Sequence, residues 1–394
     1  MKKILVSILT AATMFGLASC NKSVETPEGP RPDCNLVVNI GTEVTTKAAY
    51  SDPNGSDRQI NSLQIFVFDA EGKLETDYYK SFSGSNVSAS ATIATFRGRK
   101  TVYAVANRAR LYLPKEYLLS AFESYDATSY GAAPIVSDLS ENTYGPTSFN
   151  LVMSGKNEVD VLPYDPNVAA SATNGATTVN IYLKRLVSLV RLGKVTVNFD
   201  NTSLEGANFT IQQIYLRNVV GKSLIGMTAN SSSAAEAVTA FPVVLPSTNF
   251  NNSSCWYNFG AIQDTAPAVS VDAFTKDAED VSGTATVVNR SLLAYPNAAT
   301  ADSREATFSP RYTRLVIKAK VSKAGFSAKD EICWYTLTLR FPLVANKIYN
   351  IDNVNITMFG SNSDDDTLND EPGRLTASVS VADWATGDDL NYNF

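Results

Sequence analysis

Ser62-Leu63-Gln64-Ile65-Phe66-Val67-Phe68-Asp69 is the run that decides the fold. Leu63, Ile65 and Val67 fall on one face at period two, and β-branched and aromatic residues dominate the segment, which is the signature of a buried strand. Ala70-Glu71-Gly72-Lys73 then supplies turn chemistry. Lys100-Thr101-Val102-Tyr103-Ala104-Val105-Ala106 is apolar on both faces and reads as a central strand. Further strand-like runs occupy 179–183, 186–197, 209–218, 255–259, 312–321, 332–341 and 348–358. One helix is expected: Pro114 suits a first turn, and Tyr117, Leu118, Ala121, Phe122 and Tyr125 recur at helical spacing. Residues 165–178 have linker composition. The expected architecture is mostly β, with two β-sandwich domains of transthyretin-like or Greek-key type in tandem and few short helices. The boundaries read as 48–175 and 176–374.

The chain has 394 residues and a formal net charge of −6, with no concentrated basic face, so nucleic acid is not an expected partner. The histidine count is 0, which excludes Ser-His-Asp and Cys-His nucleophile activation and His-based zinc sites. The 39 Asp and Glu leave carboxylate-pair chemistry open, but no spaced catalytic motif accompanies them. No enzymatic activity, cofactor or metal site is expected. Of the 4 cysteines, Cys255 and Cys333 are candidates for a disulfide in an exported chain, two buried thiols being the plainer reading.

Both ends of the chain are informative. Lys2 and Lys3 precede an apolar stretch over 4–18 that is too short for a membrane span, followed by Leu17-Ala18-Ser19-Cys20. This is a lipobox: residues 1–19 are expected to form a lipoprotein signal peptide, with Cys20 taking a diacylglyceryl lipid and becoming the new N-terminus. A Pro-rich tether over 21–33 leads into Leu36-Val37-Val38-Asn39-Ile40, where Leu36, Val38 and Ile40 share a face. Segment 20–47 reads as a pro-segment ending at a basic cleavage candidate, Lys47, before Ala48, with Arg58 as a fallback site. At the far end Leu375, Ala377, Val379 and Val381 alternate with small or polar residues, and Leu390, Tyr392 and Phe394 alternate again. The break in parity at Asp383-Trp384 suggests a bend, with Trp384 either an anchor in a partner's pocket or part of its own core. An amphipathic strand in so unusual a place must find a sheet, in its own subunit or a neighbour's.

These features together resemble the type V pilins, or fimbrillins, of Bacteroidia. The resemblance rests on the lipobox with its short pro-segment, and on the strand pair 60–69 and 101–107. It rests also on Tyr182-Leu183-Lys184-Arg185-Leu186-Val187-Ser188-Leu189-Val190, on Trp334-Tyr335 with Asn346-Lys347-Ile348-Tyr349-Asn350-Ile351, and on Leu375 through Val379-Ser380-Val381-Ala382-Asp383-Trp384. The family implies a surface lipoprotein precursor whose first strand, carrying Leu36, Val38 and Ile40, is removed by a trypsin-like, Arg/Lys-specific protease. It implies that donor strands over 375–394 of another copy, or of a related fimbrillin, then fill the vacated groove. The family's usual site follows arginine, and the matching position here holds Lys47. A cut after Arg31 would free the lipid and leave the strand in place. The implied product is a fimbrial shaft subunit on the cell surface, supporting adhesion to host or bacterial surface ligands and biofilm formation. The alternatives are an accessory or tip adhesin, and a surface glycan-binding lipoprotein presenting aromatics such as Trp256-Tyr257.

Overall fold

The computed structural model describes residues 32–42, 56–84, 86–123, 136–144, 149–163, 176–199, 207–217, 219–220, 222–226, 256–257, 269–276, 286–297, 312–322, 331–362, 375–383 and 390–392. Cys20, Lys47, Ala48, Tyr125, Cys255, Trp384 and Phe394, all named above, lie outside these residues.

The first half of the chain supplies β1 (Cys34–Thr42), β2 (Ser62–Phe68), β3 (Leu74–Ser81), β4 (Ser88–Thr95), β5 (Gly98–Ala106), β6 (Val136–Asp138), β7 (Thr143–Tyr144), β8 (Phe149–Asn150), β9 (Met153–Val161) and β10 (Ala176–Arg185). Seven of these make one sheet in the order β3-β2-β5-β9-β10-β1-β4. The ladder between β9 and β10 has only two paired positions, Ser154 with Lys184 and Met153 with Arg185. The sheet folds over at this short seam. Gly155 permits the close approach, because a Cβ there would overlap the Tyr182 carbonyl. Leu63, Ile65 and Val67 of β2 and Val102, Ala104 and Ala106 of β5 then share one core with Leu36, Val38 and Ile40 of β1 and Val179, Ile181 and Leu183 of β10. On the far side Glu75 of β3 accepts from the Thr95 hydroxyl at the end of β4 and from the amide of Phe96, which follows it, and pairs with the buried Lys100 of β5.

The second half supplies β11 (Ser188–Val197), β12 (Asn208–Arg217), β13 (Val219–Val220), β14 (Lys222–Leu224), β15 (Trp256–Tyr257), β16 (Val269–Lys276), β17 (Thr286–Ala294), β18 (Arg314–Ser322), β19 (Glu331–Thr338), β20 (Lys347–Ile356), β21 (Leu375–Asp383) and β22 (Leu390–Tyr392). A five-stranded sheet, β17-β11-β20-β21-β22, and a four-stranded sheet, β16-β12-β18-β19, contribute to a common core. Leu189, Leu192, Ile348, Ile351 and Val354 come from the first, and Phe209, Ile214, Leu315, Ile317 and Tyr335 from the second. Two sheets burying alternate residues against each other make a β-sandwich, and the protein is mostly β as the sequence predicts.

The same core continues onto the outer face of β2 and β5. Phe66, Phe68 and Tyr103 pack around Phe122 with ring centroids 4.8 to 5.6 Å from it. That is why every residue of β2 is buried. The Tyr103 hydroxyl donates to the Gly226 carbonyl (3.0 Å), and the Ser154 hydroxyl to the Ile225 carbonyl (2.8 Å). Burial and the neighbouring Glu123 carboxylate push the Tyr103 phenol far above its ordinary range, so it stays a donor at any physiological pH.

Two sequence expectations are corrected here. The helix is a single short element, α1 (Leu119–Glu123), starting well after Pro114. The backbone at 117–118 is used elsewhere: the Tyr117 carbonyl accepts from Leu74 N (2.9 Å), and Leu118 bridges to Lys73. The run beginning at 179, expected to open the second domain, instead lies in β10 and pairs with β1 and β9 in the first sheet. The chain passes to the second half through Leu186 and Val187, both buried.

Candidate functional site

A strand with Leu, Val and Ile at alternate positions needs a sheet on both edges to satisfy its backbone and a core on one face to bury its side chains. β1 has all three. It lies between β10, to which it runs parallel, and β4, to which it runs antiparallel. Val38 stands opposite Val179 and Ala91, and Ile40 opposite Ile181 and Ala89. Leu36 and Val38 are 0% exposed and Ile40 is 3% exposed. Full burial of each such aliphatic is worth about 1.5–3 kcal/mol. Cys34 shares this inner face.

The outer face carries the register. Asn39 Nδ2 donates to Asn180 Oδ1 of β10 (3.1 Å), and its own Oδ1 accepts from the Ser90 hydroxyl of β4 (3.0 Å). Two residues on, Gly41 lies under the ring of the exposed Tyr182, with the nearest ring carbon at ordinary contact distance from a Cβ built there. A slip by one residue would remove the Asn39 bridge and turn the aliphatic face to water. Withdrawal of β1 would leave two facing sheet edges, on β4 and β10, around an apolar slot.

Downstream of β1 the chain re-enters the described structure at a 3₁₀ turn, Ser56–Arg58. Asp57 there is 2% exposed and pairs with the 5% exposed Arg185 at the end of β10. Arg185 Nη2 donates to Asp57 Oδ2 (3.1 Å), Nε to the Asp57 carbonyl (3.0 Å), and Nη1 to Asn346 Oδ1 (3.1 Å). Asn346 has a positive φ of 59° and donates its amide to the Val187 carbonyl (2.9 Å). A single guanidinium thus ties the segment after the pro-segment to the first sheet and to the turn preceding β20.

The predicted donor residues begin in β21, which pairs antiparallel with β20 of its own subunit at eight positions. Val379 is 2% exposed, and Leu375, Ala377 and Val381 pack at the edge of the second-half core. β22, which contains Leu390 and Tyr392, pairs with β21 at three positions. The structure therefore places Leu375, Ala377, Val379 and Val381 in their own sheet, and the slot around β1 is filled by the chain's own first strand. Cys333 is fully buried, its thiol 3.5 Å from the Tyr335 hydroxyl. β15 aligns Trp256 with Val220 and Tyr257 with Val219.

Sequence reading missed Cys34 as an inner-face residue and Asp57, Arg185 and Asn346 as a cluster. The alternation that names Leu36, Val38 and Ile40 extends to Cys34 with unbroken parity. The cluster spans three distant segments and leaves no local signal. Burial pushes the Cys34 thiol up, reinforced by its hydrogen bond to Asp33 Oδ1 (3.3 Å). A buried thiol held protonated reacts slowly. Cys34 in the intact precursor is expected to resist iodoacetamide at pH 8 and to label at least about tenfold faster once β1 has left, as its pKa returns to the ordinary range. Peptide mass mapping of the alkylated Cys34 reads this directly. Equal labelling before and after cleavage would mean that β1 does not leave.

Residues 34–191 match the family model described as major fimbrial subunit protein (FimA). Among solved structures, a candidate cell adhesion protein from Bacteroides eggerthii is 18% identical and superposes with a TM-score of 0.57, covering 90% of this chain and 97% of that one. A fimbrilin (FimA) from Porphyromonas gingivalis is 16% identical with a TM-score of 0.53, covering 90% and 99% respectively. A candidate cell adhesion protein from Parabacteroides distasonis is 15% identical with a TM-score of 0.52, covering 91% and 99%. These likenesses establish a shared fold. No curated protein matches the chain.

Proposed function

We propose, from the match of residues 34–191 to the family model described as major fimbrial subunit protein (FimA), that the chain is a fimbrial shaft subunit that polymerises by strand exchange after proteolysis. The carrying observation is the place of β1: an internal strand, paired on both edges and fully buried on one face, that is followed in sequence by a basic residue, Lys47. An ordinary tether has no need of such a strand. Cutting after Lys47 would separate β1 from the rest of the domain and turn an intramolecular contact into a dissociable one. The vacated slot would then accept a strand from another copy, its backbone pairing with β4 and β10 and its alternate side chains filling the positions of Leu36, Val38 and Ile40.

The donor in this reading is the segment beyond Asp383, with Trp384, Leu390, Tyr392 and Phe394 facing the slot. β21 stays on β20 as the root, because its ladder is longer than that of β22 and Val379 is buried in its own core. The lipid on Cys20 holds the precursor at the outer membrane until the cut releases it. Adhesion to host or bacterial surfaces then belongs to the assembled fibre.

Chain beginning at Cys20 tests this, treated with limiting trypsin-like protease and run unheated on an SDS gel. The expected result is a new N-terminus at Ala48 and a ladder of SDS-resistant multimers. Cleavage at Lys47 with no ladder, under conditions where residues 384–394 are intact, would reject strand exchange.

A further inference from the structure

We propose that the Asp57–Arg185–Asn346 cluster closes Arg58 to the maturation protease, so that in the folded precursor Lys47 is cut in preference to Arg58. This deepens the cleavage step and rests on the strand-exchange reading for its purpose. Arg58 has the right chemistry for an Arg-specific enzyme and lies only eleven residues after Lys47. No other basic residue lies between Thr42 and Arg58 except Lys47. A protease that reads a basic residue needs that side chain free to enter its pocket, with several residues on both sides extended as an added strand. The structure denies both at Arg58.

Arg58 is only half-exposed, and its Nε is buried with no hydrogen-bond partner among the described residues. The preceding residue, Asp57, is held through both its side chain and its carbonyl by Arg185. The following residue, Gln59, has its carbonyl held by Asn107 Nδ2 (2.7 Å), and Asn107 is itself fixed at a positive φ of 66°. Ile60 comes next, 0% exposed, with its amide on the Asn86 carbonyl (2.6 Å). Asn61 N then donates to Asn107 Oδ1 (2.7 Å). Four of the five residues from 57 to 61, all but Arg58 itself, are thus held by groups from β10, the β3–β4 connection and the end of β5. Presenting Arg58 requires breaking a buried ion pair and lifting Ile60 out of the core together, and cleavage of such a bond is limited by the population of the opened state.

The location matters for the product. A cut at Arg58 would remove Asp57 from the new N-terminus and leave Arg185 buried without its carboxylate. A cut at Lys47 keeps the clamp in the mature subunit.

The test is limited trypsin digestion of the precursor with intact-mass and N-terminal mapping, on wild type, Lys47→Ala, Lys47→Ala/Asp57→Asn and Lys47→Ala/Asn346→Ala. The Asn346 variant weakens the cluster without stranding a buried charge, and circular dichroism confirms that each variant is folded. Chain unfolded in urea controls for sequence effects at Arg58. The expected outcome is that Lys47→Ala is cut at Arg58 at least about 100-fold more slowly than wild type is cut at Lys47. Asp57→Asn and Asn346→Ala should then each raise cutting at Arg58 by at least about tenfold. A Gln59 terminus from folded wild type at a rate matching Ala48 would overturn the proposal. So would cluster variants that leave Arg58 as resistant as before while the unfolded chain is cut there. Resistance at both Lys47 and Arg58 would instead defeat the cleavage-at-Lys47 reading and leave the protection of Arg58 standing.

Discussion

A chain truncated after Asp383 is expected to fold and to be processed, but to form no fibres. The missing residues, 384–394, include β22, which contributes three paired positions at the outer edge of the five-stranded sheet. Edge pairs of this kind contribute a few tenths of a kcal/mol to about 1 kcal/mol each, so thermal midpoints of truncated and full-length monomers should differ by only a few degrees. Assembly should behave oppositely. Leu390, Tyr392 and Phe394 supply the alternate side chains for the slot, and their loss removes both the apolar anchors and the backbone that would pair with β4 and β10. The SDS-resistant ladder should vanish, a loss of at least about 100-fold in multimer yield. A synthetic peptide of residues 384–394, added to processed wild-type subunits, should compete for the slot and shorten the ladder. A full ladder from truncated chain would reassign the donor to β21.

The second large effect is on stability. Replacing Arg185 by alanine should cost about 3–5 kcal/mol, because Asp57 would be left charged in a site from which water is excluded. Arg185 also makes two of its hydrogen bonds through Nε and Nη1, to the Asp57 carbonyl and Asn346 Oδ1. Lysine keeps the charge and loses the planar fork, so Arg185→Lys should recover only part of the loss. The double variant Asp57→Leu/Arg185→Met removes both charges together and should lie much nearer wild type than Arg185→Ala does. Urea unfolding of the three variants measures these differences. Equal stability for Arg185→Ala and wild type would show that the pair is hydrated in solution.

How much of this was legible in the sequence depended on the amplitude of the alternation and the distance to the partner. β2 and β5 announced themselves because large apolar residues fill both of their faces, and β1 because Leu36, Val38 and Ile40 stand out among polar neighbours. β4, the strand on the other edge of the slot, was missed. Its sequence, Ser-Ala-Ser-Ala-Thr-Ile-Ala-Thr, alternates between residues too small to give a strong period-two signal. It buries Ala91 and Ile93 only because β1 lies beside it. β10 was seen as a strand and assigned to the wrong half. Its partner β1 lies far upstream, as Asn39 and Asn180 show, 141 residues apart and hydrogen-bonded. A parallel pairing of that separation leaves no trace in any local window. The helix was overextended because periodicity sees side chains, whereas the Tyr117 carbonyl is taken by Leu74 N of β3.

The order of strands in the two sheets also bears on how such a subunit would behave under tension. A donor segment rooted in β21 hangs from β20, which runs parallel to β11. β11 continues through Leu186 and Val187 into β10, the wall of the slot that would hold the next donor. Asp383, where the load would enter, pairs with Lys347, and Leu189, next to where it would leave, pairs with Ile348, so both points lie at the same end of the β21–β20–β11 ladders and the pairs at that end would bear the force first. The weak three-pair contact of β22 lies outside this path. A bacterium tethered by such a filament in flow would hang from the Lys347–Asp383 and Ile348–Leu189 end of these ladders, so strengthening the pairs there would do most to raise the force the fibre bears.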